Sequence, residues 1–168
     1  MNLKSRSIVL LAAATSVATV LVASQASAQP ASPPAPSAIL SRTTLDDLNV
    51  WVKWGKLHST INTAQDSQSE VVFQRAVAPP GVTAGWHTHA GVVFVSVAEG
   101  VLTYYDQNNP CEGRTFAQGQ GFVEEAHGDV VHIARNEGST DLVLYLMYVV
   151  NKGDDLRTSQ PAPAGACF

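Results

Sequence analysis

Gly81–Gly100 reads GVTAGWHTHAGVVFVSVAEG: two histidines stand two apart, and an alternating apolar run from Val92 leads to a Glu-Gly turn. In an extended strand side chains alternate faces, so residues i and i+2 point the same way. His87 and His89 therefore present two imidazoles on one face, with Thr88 turned to the other. Two imidazoles so placed can share one metal ion, and a third ligand must come from elsewhere in the chain. His132 is the best candidate, because it sits inside another strand-like run, VVHIARN. Alone, an H-x-H pair is a weak motif, since a histidine on an apolar face is more often a satisfied core residue.

The surrounding chain repeats the same short β pattern. Val50–Trp54, Glu70–Val77, Val92–Val97, Val101–Tyr105, Val130–Ala134 and Asp141–Val150 are rich in Val, Leu, Phe, Tyr and Trp. Pro79-Pro80-Gly81, Glu99-Gly100, the run DQNNP and Asn136-Glu137-Gly138 separate them as turn signals. Strands of this length and spacing predict an all-β sandwich or barrel. Thr43–Val50 is the exception, where Thr44 can cap a short helical turn.

The first residues are of another kind. Met1–Ala28 has Lys4 and Arg6, then the apolar run IVLLAAATSVATVLVA, then Ala26-Ser27-Ala28 before Gln29. That is the pattern of a cleaved secretory signal peptide, and the run is short for a membrane anchor. Residues 29–40 are Pro- and Ala-rich and read as a disordered linker, and 41–168 as one domain. Export places the protein in the periplasm or outside the cell, with no membrane span after signal cleavage. Removing Lys4 and Arg6 leaves 8 basic against 14 acidic residues, a formal charge of −6, which argues against a nucleic-acid partner. Two cysteines in an exported chain favour one disulfide between Cys111 and Cys167, against two free thiols or metal ligation.

The spacings around the histidines resemble the cupin superfamily. Gly81, His87, His89 and Gly100 match its first motif at every spacing, and Gly121, His132 and Asn136 match its second. The chain resembles small, single-domain exported cupins of the type-2 kind, with a Cys near the C-terminus. The resemblance implies an antiparallel jelly-roll β-barrel with one divalent transition metal inside it. It carries the role of metal ligand to His87, His89 and His132. The sequence departs from the family at position 93, where Val93 replaces the usual glutamate, and at His127 and Asp129, where Pro and Gly are usual.

Three neutral imidazoles without a carboxylate disfavour a hard ion such as Mn²⁺ relative to Zn²⁺, Fe²⁺, Cu²⁺ or Ni²⁺. The missing group has three replacements in the sequence: His127, in the turn before the His132 run, and the neighbours Glu124 and Glu125, one of which faces inward if the strand extends that far. His58, in KLHSTINT, reads as surface. Trp86 alternates to the face opposite His87, Tyr104 and Tyr105 divide between inside and outside, and Tyr145 and Met147 share one face of the last long strand. Arg114 and Arg135 are candidates for recognising an anion. The leading functional reading is a metal-binding barrel holding a small polar or anionic molecule. A dioxygenase-type oxidoreductase and a metal-free, noncatalytic scaffold are the alternatives, and the fold does not choose between them. A homodimer through sheet edges is compatible with such a barrel, though no residue identifies its interface.

Overall fold

A computed structural model describes residues 37–46, 48–62, 67–124 and 130–168, and every described element is a β-strand or a connecting turn. The signal-peptide segment, Glu125 and His127 lie outside the described residues. In chain order the strands are β1 (Ala38–Asp46), β2 (Asn49–Trp54), β3 (Leu57–Asn62), β4 (Gln68–Ala78), β5 (His87–Thr88) and β6 (Val92–Glu99). They continue as β7 (Val101–Asp106), β8 (Asn109–Ala117), β9 (Gly121–Glu124), β10 (His132–Arg135), β11 (Leu142–Asn151) and β12 (Thr158–Ser159).

Two five-stranded antiparallel sheets face each other, ordered β1-β4-β11-β6-β9 and β12-β5-β10-β7-β8, while β2 and β3 form a separate hairpin. This is the all-β, antiparallel jelly-roll that the sequence predicts. No ladder joins the edges of the two sheets among the described residues, so the barrel takes the form of a sandwich. Its interior follows the period of two. Val93, Val95 and Val97 of β6 and Leu142, Leu144, Tyr148 and Val150 of β11 point inward and meet Leu102 of β7. Phe94, Val123 and Tyr145, at the alternate positions, are exposed on the outer face.

Two expectations are corrected. β1 begins at Ala38, so the last residues of the expected linker are strand, paired with β4 through Ala38↔Arg75 and Ile39↔Gln74. Thr44 lies in β1 opposite Glu70 and caps no helix, because cross-strand pairing with β4 outweighs a weak local signal. Tyr104 and Tyr105 face opposite sides of β7, as expected, Tyr104 toward His132 and Tyr105 outward, where Phe168 buries it. The outer face of the second sheet is covered by the C-terminal tail. There Trp86, Tyr105 and Ile133 pack with Ala166, and Phe168 stacks on Trp86 at a centroid distance of 6.1 Å. The Cys111–Cys167 disulfide holds this tail against β8, as the cysteine count leads one to expect.

The motif residues that are not histidines tie the turns together. Gly121 stands so close to β6 that a Cβ there would lie 2.4 Å from the Val95 carbonyl oxygen, which allows β9 to pair tightly. Asn136 is buried and donates to the carbonyl oxygens of Ala78 and Thr140, both at 2.7 Å, and accepts from the Gly138 amide at 3.0 Å. Its backbone also exchanges bonds with the loop before His87, as acceptor for Gly81 N–H and donor to Val82. Replacing the buried Asn136 with Ala removes three hydrogen bonds that join the turns, and the expected loss is about 2 kcal/mol. Urea unfolding checks this: the midpoint should fall with the slope unchanged.

Candidate metal centre

His87 and His132 are direct partners in the antiparallel pairing of β5 with β10, and His89 lies one residue past the end of β5. All three are buried, and their ligand atoms lie within 4.8 Å of one another. Each ring is oriented by the backbone. Nδ1–H donates to the carbonyl of Gly85 from His87 (2.7 Å), of Leu156 from His89 (2.6 Å) and of Val130 from His132 (3.0 Å). A proton fixed on Nδ1 leaves Nε2 as the lone-pair atom, and a carbonyl behind an imidazole is the usual support of a metal-ligating histidine. The tautomers are therefore set for three Nε2 atoms to converge on one point.

The carboxylate absent at position 93 arrives from the next strand. Val93 of β6 is paired directly with Glu124 of β9, so both side chains point into the sandwich side by side. Glu124 is buried, with Oε2 3.0 Å from His89 Nε2 and Oε1 3.4 Å from His132 Nε2. Ligands about 2.1 Å from one ion are themselves roughly 3.0–3.4 Å apart, so these separations suit adjacent positions in a shared coordination sphere. His132 Nε2 is buried without a hydrogen-bond partner, an arrangement that costs free energy unless something accepts its lone pair. The donor set fits a divalent transition metal.

Burial dominates the electrostatics. It pushes the His87 imidazolium down to about 3, with the neighbouring His132, His89 and Arg157 adding to the effect and the Gly85 carbonyl opposing it. His132 is lowered too, chiefly by burial, with Glu124 pulling the other way. Tyr104, stacked on His132 at 5.2 Å, and Tyr148, 5.6 Å from His89, are pushed up by burial and then by Glu124, so both remain neutral phenols at pH 7. Tyr148 donates to Gln74 Oε1 at 2.8 Å. Beside the histidines a cavity of ≈ 190 Å³ opens between the sheets, walled by Val95, Leu102, Leu144 and Leu146.

No protein-family model matches this chain, and no curated protein does. Solved structures do match. A protein from Neisseria meningitidis is 23% identical, with 47% of this chain and 73% of that one covered and a TM-score of 0.40. A predicted oxalate decarboxylase from Thermotoga maritima is 19% identical, covering 50% and 81%, with a TM-score of 0.40. Pumpkin seed globulin is 18% identical, covering 49% and 28%, with a TM-score of 0.40. At these identities no residue's role carries over, so the chemistry has to come from the site's own geometry.

Of the residues singled out in the sequence, His87, His89, His132 and Glu124 come together. His58 is exposed on β3, as expected. Arg114 pairs with Asp106 (3.7 Å), and Arg135 with Glu137 (3.0 Å) while lying over the Phe168 ring. Each already has a carboxylate. Leu144 and Leu146 face the cavity and Tyr145 faces out, so that strand contributes wall as well as core. The contributions of Gln74, Tyr148, the Leu156 carbonyl and Arg157 were not legible, because they depend on which strand and which part of the tail fold against the histidines.

The folded protein keeps His87 neutral down to about pH 3, whereas the unfolded chain takes up a proton below its ordinary value of 6.5. The unfolded state thus binds more protons between those limits, and stability falls as pH drops through that window. Metal-free protein should show a lower urea midpoint at pH 5 than at pH 7.5, and His87→Gln should flatten the difference. An unchanged midpoint in the parent protein would contradict a buried neutral imidazole.

Proposed function

We propose that this is an exported cupin-type protein that binds one divalent transition metal through His87, His89, His132 and Glu124 and holds a small polar or anionic molecule beside it. The observation that carries the reading is the set of three Nδ1–H bonds to backbone carbonyls. It aims three lone pairs at one buried point, next to an inward carboxylate. A bound ion would supply Lewis acidity and open positions for water or an anionic oxygen. The chain's own part is to orient the imidazoles, to supply one negative charge through Glu124, and to shield the centre with aliphatic walls. Imidazole nitrogen with one carboxylate accommodates Zn²⁺, Fe²⁺, Cu²⁺, Ni²⁺ and Mn²⁺. Restoring a carboxylate removes the reason given above to disfavour Mn²⁺.

Export is supported by the signal-like Met1–Ala28 segment and by the disulfide, a bond characteristic of oxidising compartments. Among the described residues no helix is long and apolar enough to cross a membrane. A second reading has its own support: the His89–Glu124 contact of 3.0 Å serves a metal-free barrel equally well as an ion pair, with a proton in the ion's place.

The two readings part on metal content. Protein purified from the periplasm without a histidine tag should carry one equivalent of a single transition metal by mass spectrometry. His132→Ala should carry none, and Glu124→Gln should bind at least tenfold more weakly while remaining folded. A folded parent protein that takes up no metal on reconstitution would establish the metal-free reading.

A further inference from the structure

The tail after β11 does more than cover a sheet. β12 adds to the edge of β5, with Thr158 opposite Thr88 and Ser159 opposite His87, and Leu156 accepts from His89. Between them stands Arg157, whose guanidinium donates to the Ala84 carbonyl in the loop before the histidines. It lines the cavity beside the histidines and also a second hollow of ≈ 270 Å³. The two spaces share Ala76, Ala84, Ala134, Leu144 and Arg157, so the cation sits where they adjoin, among small aliphatic side chains.

Three other arginines differ in their surroundings. Arg42 is paired with Glu70, Arg114 with Asp106 and Arg135 with Glu137. Among the described residues no carboxylate pairs with Arg157, and its hydrogen bond to the Ala84 carbonyl leaves most of its five donors available. A divalent ion with one carboxylate ligand leaves a net positive centre, and the guanidinium adds to it. The space between carries no second negative side chain among its described lining residues besides Glu124. A fork of N–H donors at the edge of an alanine- and leucine-walled cavity matches a carboxylate on a short aliphatic body.

We propose that Arg157 is the anion anchor of this cavity and that the ligand is a small carboxylate with a short aliphatic chain. The inference rests on reading the histidine cavity as a ligand pocket, and it makes Arg157 a specificity residue rather than a metal ligand. The carboxylate lies against the guanidinium, with its aliphatic part along Ala76, Ala134 and Leu144. The neutral amide of the same shape is rejected because it brings no charge and offers donors to a donor.

The test uses the full exported protein with its disulfide intact, and propionate and propionamide as probes in an NMR titration. Propionate should bind, with propionamide at least tenfold weaker. Arg157→Gln should lose roughly tenfold in propionate affinity, while Arg157→Lys, which keeps the charge, should lose less. Added KCl should weaken propionate binding to the parent protein, an effect that needs no variant to be stable. Equal affinity for propionate in Arg157→Gln, or equal binding of the amide by the parent protein, would overturn the proposal. Metal content keeps the two claims apart. One equivalent of metal in Arg157→Gln with propionate binding unchanged refutes the anchor alone. Absence of metal from the parent protein refutes the metal site alone, and the titration of metal-free protein still reads the contribution of Arg157.

Discussion

The centre depends on one cross-strand pair, Val93 of β6 opposite Glu124 of β9. Side chains directly opposite in an antiparallel ladder stand about 5 Å apart on the same face. A carboxylate moved from one to the other therefore approaches the same three imidazoles from a neighbouring strand. The move needs β9 to lie in this register and no other, since a slip of one residue would turn Glu124 to solvent and bring Val123 in. Gly121 secures the register by letting the β9 backbone approach Val95 where any larger residue would collide. The glycine and the glutamate are thus parts of one arrangement, one permitting the pairing and the other using it.

The second support comes from the tail. The outer face of β5, β10 and β7 carries Trp86, Ile133 and Tyr105, which would be left in water if the tail were removed. Phe168 and Ala166 cover them, the disulfide to Cys111 holds the cover in place, and β12 completes the edge of β5. The same segment supplies the Leu156 carbonyl that fixes the His89 tautomer and the guanidinium of Arg157 at the cavity edge. A segment whose sequence reads as irregular therefore orients the His89 ring and positions the Arg157 guanidinium. That link between surface packing and site geometry accounts for an ordered tail on so small a fold.

How much of this was legible follows from the range of each interaction. The strands and the inward histidines are encoded by alternation over a few residues, and the motif spacings carried the fold and the three imidazoles directly. Glu124 was legible as one of three candidates, because alternation says that one of two adjacent carboxylates faces in but not what it meets. What stayed hidden came from pairings far apart in sequence. The Val93–Glu124 register, the approach of Leu156 to His89 across 67 residues and the burial of Tyr105 under Phe168 are all of this kind. The expected helical turn near Thr44 failed for the same reason, since β4 offers that segment a full ladder of partners.

The central claim is that Glu124 takes the place of a carboxylate at position 93, and exchanging the pair tests it most directly. Metal affinity would be measured by competition with a chromophoric chelator for the parent protein, Glu124→Val, and the double variant Val93→Glu/Glu124→Val. The account predicts weakened binding in the single variant and recovery in the double variant, since the carboxylate returns to the same centre from the opposite strand. Undiminished affinity in Glu124→Val would contradict it, because the three imidazoles would then hold the ion without a carboxylate.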